Sequence, residues 1–384
     1  MRILHTSDWH LGRIFHGVHL TEDQAYVLEQ FIHLVREAKP DVILVAGDVF
    51  DRAVPPTEAV NLLDDVISEI LLDAQVPIIM IAGNHDSADR LGFGYRLLES
   101  RGLNIAGRLL ADKRPVTLYD PYGPVHFHAI PYADPIQVKE QLSDPSIDAH
   151  DSSMEKLLQY RYKSLVSQGR NVLVAHAFVA GGEESESERP LSVGGSGAVN
   201  PFHFKGFNYV ALGHLHRPQK VGGEHIRYSG SLMKYSFSEA NHKKQINLIE
   251  MDALGNVQIE AVALKPRRDL RCIEGYLKDI LEAGPKDPNK EDYLMVTLKD
   301  EGAILDAIGK LRKVYPHVLH IERPQLTQGN QLVGPERNFK KMGEVHLFSS
   351  FFSQVTNREI SEEQKKVFEQ VLDRYYKAIG GEQA

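Results

Sequence analysis

The sequence predicts an α/β chain with a smaller α+β domain and a helical tail. Three observations point there. The first 82 residues alternate short apolar runs with segments of helical period. That βαβαβ rhythm implies a parallel or mixed sheet covered by helices. Five apolar runs along the first 216 residues lead into short polar motifs made of Asp, His and Asn. After Pro266 those motifs stop, and a brief strand–helix–strand–helix–strand pattern follows. With 384 residues, 42% of them apolar and 25% charged, the chain can bury a large core and form two or three domains.

The elements follow in order. Residues 2–6 form an apolar-rich strand. Thr21-Glu22-Asp23-Gln24 has the form of a capping box, and Ala25, Leu28, Ile32 and Val35 behind it keep a helical period. Pro40 ends that helix, and 41–46 is a buried strand. Thr57 is expected to cap a second helix, with Val60, Leu63, Ile67, Ile70 and Leu71 facing inward. Residues 76–82 make the next strand. Further strands are expected at 125–130, 171–175, 208–212, 225–229, 246–251 and 257–263, with a helix at 151–167. Residues 181–200, rich in Gly, Ser and Glu, suggest a mobile loop. Its Glu183, Glu184, Glu186 and Glu188 are expected to be simply solvated.

A boundary falls near Pro266. The expected organisation is 1–265 for the motif-bearing domain, 266–324 for the small α+β domain, 325–342 for a polar linker and 343–384 for a helical segment. The small domain reads as strand 270–275, helix 276–283, strand 292–298, helix 303–314 and strand 317–322. In the tail, one helix carries Val345, Leu347, Phe348, Phe351, Phe352 and Val355. A second starts at the capping box Ser361-Glu362-Glu363-Gln364 and carries Val367, Val371, Tyr375 and Ile379.

Composition excludes several classes. A single cysteine, Cys272, rules out an internal disulfide and fits a reducing, cytoplasmic setting. The first residues run straight into a strand, with no signal-peptide pattern. No apolar run approaches membrane-spanning length, so no membrane association is expected. A net charge of −8 argues against a broadly basic surface but leaves room for a local DNA groove. Bound divalent cations would offset acidic charge at a site.

The chemistry lies in five stretches: Asp8-Trp9-His10, Gly47-Asp48-Val49-Phe50-Asp51, Gly83-Asn84-His85-Asp86, a lone His176, and Gly213-His214-Leu215-His216. These residue types suit borderline divalent metals. Asp8 and His10 alternate in an extended segment and can clamp one ion. Asp48 has two oxygens and can bridge two ions. Asn84 offers a neutral amide oxygen. The expected partition puts Asp8, His10, Asp48 and His216 on one ion, and Asp48, Asn84, His176 and His214 on the other. Two ions about 3.5–4 Å apart suit in-line displacement at phosphorus. His85 is assigned to the phosphate rather than a metal, as an imidazole that stabilises developing charge or protonates the leaving oxygen. Asp51 is expected to accept a hydrogen bond from its other ring nitrogen.

Arg13, Arg52 and Arg90 neighbour these motifs and are candidate phosphate contacts, weighed evenly against ordinary surface charge. His16 and His19 are expected in a solvated loop, His5 in the core, and His126 and His128 as strand residues. The tail's aromatic face, Phe348, Phe351 and Phe352, favours partner docking over self-packing.

The five motifs in this order resemble the calcineurin-like metallophosphoesterase superfamily. The opening Arg2-Ile3-Leu4-His5-Thr6-Ser7-Asp8-Trp9-His10-Leu11-Gly12 and the later Tyr228-Ser229-Gly230-Ser231 resemble the bacterial SbcD nuclease family. That resemblance implies a two-sheet sandwich flanked by helices, then a small capping domain and a helical segment. It also implies a manganese-dependent DNA nuclease acting in repair, recombination and replication. Such an enzyme is an exonuclease on duplex ends and an endonuclease on single strands and hairpins. The implied partner is SbcC, an ATPase with a long coiled coil, bound by the tail helices, with a homodimer inside a heterotetramer. Asp51 stands where archaeal and eukaryotic relatives often carry His and follows the bacterial pattern. Two other functions remain open from sequence: a phosphatase or cyclic-nucleotide phosphodiesterase on the same ion pair, and a non-catalytic scaffold at DNA ends.

Overall fold

The apolar runs of the first 263 residues assemble into two six-stranded sheets. They are seen in a computed structural model that describes residues 1–162, 169–191, 197–302, 304–324, 344–356 and 358–380. The first sheet contains Arg2–Thr6 (β1), Val42–Ala46 (β4), Ile78–Ile81 (β5), Leu103–Ala106 (β6), Gln245–Met251 (β13) and Val257–Ala263 (β14), in the order β14-β13-β1-β4-β5-β6. Strands β1, β4, β5 and β6 run parallel, and β13 and β14 close one edge antiparallel. A small hairpin, Ile14–Phe15 (β2) with Val18–His19 (β3), follows β1.

The second sheet contains Val116–Asp120 (β7), Gly123–Ile130 (β8), Arg170–His176 (β9), Tyr209–Gly213 (β10), Gln219–Lys220 (β11) and Ile226–Tyr228 (β12), in the order β11-β12-β10-β9-β8-β7. Here β8, β9, β10 and β12 are parallel. Each central parallel strand is apolar on both faces, as expected where both faces are covered. Ile3, Leu44, Ala46, Ile79 and Ile81 meet Phe127, Val172, Val174 and Ala211 in one core between the sheets. Leu173, Ala175, Val210 and Leu212 point the other way, into a second core with Met154, Leu157 and Leu158 of the helix His150–Tyr162. The architecture is therefore the two-sheet sandwich flanked by helices.

Two helix starts differ from expectation. Thr21–Ala38 (α1) begins after Leu20 with no side-chain cap, so Thr21 and Gln24 form no capping box. Gln24 lies on the buried side of the first turn and serves the neighbouring loop instead. Its amide oxygen accepts from the Gly12 amide at 3.1 Å, and its NH2 donates to the His10 carbonyl at 2.7 Å. Thr57–Ser68 (α2) starts one residue after an extended Pro56, and Thr57 caps nothing. Its phase is shifted: Ala59, Leu63 and Val66 are buried, with Ile70 in the π-helical turn that follows, while Val60 is 44% exposed.

Strands β6 and β7 were not anticipated, nor was the helix Pro135–Leu142. The signal for that helix is plain in the sequence, because Asp134 accepts from the Ile136 amide at 2.9 Å with Pro at the first turn. The helix expected at 151–167 is seen as His150–Tyr162, and 163–168 lie outside the described residues.

The chain forms two compact units, Met1–Leu270 and Arg271–Ala384. In the second, Leu294, Val296 and Leu298 of the strand Tyr293–Leu298 pack with Leu277, Ile280, Leu311 and Val318. That strand is central in a three-stranded sheet. The helix expected at 303–314 shortens to Ala307–Arg312, started by Asp306, whose carboxylate accepts from the Gly309 amide at 3.1 Å. The expected linker lies outside the described residues. The tail helices are Glu344–Thr356 and Glu362–Gly380. The capping box at the second is formed as expected: the Ser361 amide donates to Gln364 Oε1 at 3.0 Å, and the Gln364 amide to Ser361 Oγ at 3.2 Å. Among the described residues, no helix is long and apolar enough to cross a membrane.

Candidate metal centre

Every predicted ligand sits at the carboxyl end of a parallel strand, where open α/β sheets place their sites. Asp8 and His10 follow β1, Asp48 follows β4, Asn84 and His85 follow β5, His176 ends β9, and His214 and His216 follow β10. The two sheets thus deliver ligands from opposite sides.

The extended segment expected over residues 8–10 is not formed, because β1 ends at Thr6 and the backbone beyond it is left-handed at Asp8 and His10. Asp8, His10, Asp48 and His214 have φ of 52°, 47°, 48° and 110°, a region that residues with a Cβ rarely adopt. Surrounding hydrogen bonds hold them there. The Asp8 amide donates to the Gly47 carbonyl at 3.0 Å, and the His10 amide to the Asp48 carbonyl at 2.9 Å. Asp86 accepts from the amides of Val49, Phe50 and Gly83 at 2.9–3.1 Å, tying the Asp48 loop to the Asn84 loop. At Gly83 and Gly213 a side chain would overlap the Asp48 carboxylate and the Ala46 carbonyl, so close approach requires glycine there.

Asp48 is central. Its Oδ2 lies 3.7 Å from His10 Nε2, 3.6 Å from His176 Nε2 and 3.9 Å from His85 Nε2. His10 Nε2 and His216 Nε2 are 3.0 Å apart. Asn84 Oδ1 lies 2.9 Å from His176 Nε2 and 3.3 Å from His214 Nδ1. Asp8, His10 and His216 form one cluster with ligand atoms within 4.8 Å of one another, Asp8, Asp48 and His176 form another, and His10, Asp51 and His85 form a third. The structure therefore brings all seven predicted ligands together.

These residues fit a cation chemically. His176 Nδ1 bonds to the Ala46 carbonyl at 2.9 Å, which places its proton there and leaves Nε2 as a lone pair. That lone pair faces Asn84 Oδ1, which is also an acceptor. Two acceptors at such distance are mutually satisfied by a metal ion. Burial raises the Asp8 carboxyl to about 6 and the Asp48 carboxyl to about 7. Burial also holds His10, His176 and His214 below the usual imidazole range, whereas at His216 burial is outweighed by the neighbouring Glu239 carboxylate and the ring is raised. Neutral imidazoles are the ligand form, and a nearby dication would reverse the carboxyl shifts.

The calcineurin-like phosphoesterase family matches residues 1–218. The type 5 capsule protein repressor C-terminal domain family matches 266–356. The chain is 34% identical over 378 residues to a Staphylococcus epidermidis protein named as the SbcD component of nuclease SbcCD, covering 97% of this chain and all of that one. It is also 34% identical to the Staphylococcus saprophyticus protein of the same name, covering 97% of this chain and 98% of that one. The chain belongs to the SbcD nuclease family. Among solved structures, a dimetal phosphatase from Danio rerio is similar at a TM-score of 0.43 and 14% identity, over 68% of this chain and 96% of that one.

Within this SbcD-type centre, His85 is oriented differently from expectation. Its Nδ1 bonds to the backbone carbonyl of Asp51 at 2.8 Å, not to the carboxylate. The Asp51 side chain instead accepts from Arg13 Nη1 at 2.8 Å and faces His10 Nδ1 at 3.7 Å. The chain bends over residues 51–54, and the Asp51 carboxylate is taken by Arg13, which leaves its carbonyl for His85. Arg13 is thereby committed to Asp51 and to the ring face of Tyr235, which weakens its claim on phosphate. Arg52 and Arg90 are exposed.

Sequence reasoning missed Gln24, Tyr235, Ser187, Glu188, Glu239 and Lys244. Tyr235 hydroxyl donates to the Trp9 carbonyl at 2.5 Å. The acidic loop is not uniformly solvated: Glu188 accepts from the His216 amide at 2.7 Å, while Glu183, Glu184 and Glu186 stay on the solvent side. The segment Tyr228-Ser229-Gly230-Ser231 carries part of the signal. Ser229 Oγ lies 2.9 Å from Ser7 Oγ, which donates to Asp8 at 2.6 Å.

Proposed function

We propose that this chain is the metal-dependent nuclease component of an SbcCD complex, hydrolysing phosphodiester bonds of DNA. The observation that carries the reading is the ring of acceptor atoms around the buried Asp48 carboxylate, fed from both sheets. Asp8, His10, Asp48 and His216 would hold one ion, and Asp48, Asn84, His176 and His214 the other. Manganese is the family expectation. When bound, two such ions lower the pKa of an attacking water and neutralise charge on the phosphoryl oxygens.

The chain's own residues supply the rest. Asp51 carbonyl fixes His85 with Nε2 directed at the site, where it can bond a phosphate oxygen or protonate the leaving oxygen. Exposed Arg52 and Arg90 are candidates for contacting the DNA backbone. Exonuclease action on duplex ends and endonuclease action on single strands or hairpins are the expected modes. The 266–324 domain would restrict which DNA form reaches the ions.

The test is cleavage of an end-labelled linear duplex with manganese, with and without a chelator. Shortening that requires manganese supports the reading. Turnover of a small phosphate ester with intact DNA would move it to a phosphatase or cyclic-nucleotide phosphodiesterase. Turnover of neither, with or without SbcC and ATP, would leave a scaffold at DNA ends.

The partner assignment has its own support. Leu347, Phe351, Val367, Val371 and Tyr375 of the tail helices are between 37% and 60% exposed, a broad apolar surface for a helical partner such as the SbcC coiled-coil base. A homodimer within a heterotetramer is the family expectation. Deleting 345–384 is expected to abolish co-purification with SbcC while metal-dependent cleavage persists. A truncated chain that still co-purifies would refute the assignment.

A further inference from the structure

Beside the candidate ligands lies a buried ion pair with no evident part in the chemistry above. The Glu239 side chain is 0% exposed and that of Lys244 is 4% exposed. Lys244 Nζ spends its three protons on Glu239 Oε2 at 2.6 Å, the His216 carbonyl at 2.7 Å and Ser231 Oγ at 2.8 Å. The other carboxylate oxygen, Oε1, accepts from Ser187 Oγ, which lies 2.5 Å from His216 Nδ1. Oε1 itself is 3.4 Å from that nitrogen. A buried pair of this kind is seldom a net source of stability, so its placement calls for another explanation.

We propose that Glu239, acting through Ser187, is a positioning residue that fixes the tautomer and direction of His216 for metal binding. The hydroxyl has one proton. If it goes to the Glu239 carboxylate, the oxygen lone pair can only accept, and His216 Nδ1 must carry the ring proton. His216 Nε2 is then the lone pair, facing His10 Nε2 at the cluster with Asp8. Lys244 sets the polarity of this chain by holding Oε2, and it pins the backbone of the same histidine. Ser187 and Glu188 come from the acidic loop, so the stretch that bears them lies against His216. Carboxylates placed behind a ligating imidazole typically contribute 10–100-fold to metal affinity.

Replacing Glu239 by Gln reverses the chain. The amide oxygen would face Lys244, and the NH2 would face Ser187. The Ser187 proton would then turn to His216 Nδ1, moving the ring proton to Nε2 and removing the ligating lone pair.

The experiment is calorimetric titration of the full-length chain with manganese chloride, paired with imidazole nitrogen NMR of the metal-free protein. Wild type is expected to take up two ions and to show His216 protonated at Nδ1. Glu239→Gln is expected to weaken one ion about 10–100-fold, to leave the other within about threefold, and to move the His216 proton. Ser187→Ala keeps the Glu239–Lys244 pair whole, so it decides the matter should Glu239→Gln not fold. It is expected to weaken the same ion. Unchanged affinity in both variants, or equal weakening of both ions, overturns the proposal. The inference rests on the two-ion reading: wild type that binds no manganese refutes both, whereas two wild-type ions with unaltered variants refutes the positioning role alone.

Discussion

Asp48→Asn is expected to abolish metal-dependent DNA cleavage, lowering the rate by at least about 10³-fold, or about 4 kcal/mol of barrier. Asparagine is the informative replacement. Asp48 has φ of 48°, which Asn tolerates and Ala does not, so Ala would confuse backbone strain with lost chemistry. Asn can also keep the bond that Asp48 Oδ1 accepts from the His85 amide. What changes is Oδ2, which becomes an NH2 aimed at three imidazole nitrogens. A donor then stands where the proposed bridging oxygen stood, and both ions lose a ligand. The check is single-turnover cleavage of the labelled duplex, with melting temperature as the control on folding. Cleavage within tenfold of wild type, in a folded variant, would remove Asp48 from the metal centre.

The site was legible because its ligands are concentrated. Asp8-Trp9-His10, Asn84-His85 and His214-Leu215-His216 each place rare combinations of donor atoms directly after an apolar strand, and parallel strands carry such ends to one edge. The sandwich was legible for a similar reason, since continuously apolar runs such as Val42–Ala46 must be covered on both faces. What escaped are residues whose importance exists only after folding. Gln24 bonds to loop groups 12 and 14 positions away, and Ser187, Glu239 and Lys244 reach His216 across 29, 23 and 28 positions. Serine, glutamate and lysine are common surface residues, so nothing local marks these three as buried. The two capping boxes make the point sharply. Thr21–Gln24 and Ser361–Gln364 share one local pattern, yet only the exposed Ser361 uses it. At the other, burial turns Gln24 toward the loop that bears His10, and a tertiary contact outweighs the local one.

His85→Ala is expected to retain both ions and lose cleavage by about 10²–10⁴-fold, the usual contribution of a positioned acid or base. The argument is one of exclusion followed by geometry. His85 Nδ1 is committed to the Asp51 carbonyl, so only Nε2 can act. That atom stands 3.9 Å from Asp48 Oδ2, beside the proposed ions. His85 also groups with His10 and Asp51 in a set of donor atoms close enough to hold an ion, so metal content has to be measured beside cleavage. Burial lowers its pKa, while the Asp48 carboxylate and the Asp51 carbonyl work in the opposite sense. Burial outweighs them, and a phosphate arriving beside the ring would add the negative charge that favours the imidazolium. The measurement is manganese stoichiometry by titration alongside the cleavage rate. Loss of an ion together with activity would make His85 a ligand, and near-normal cleavage with both ions bound would give it no part in the chemistry. The expected pattern, full metal content with little turnover, separates holding the ions from acting on the phosphate, a division that Asp48 and His85 then represent on opposite sides of one 3.9 Å gap.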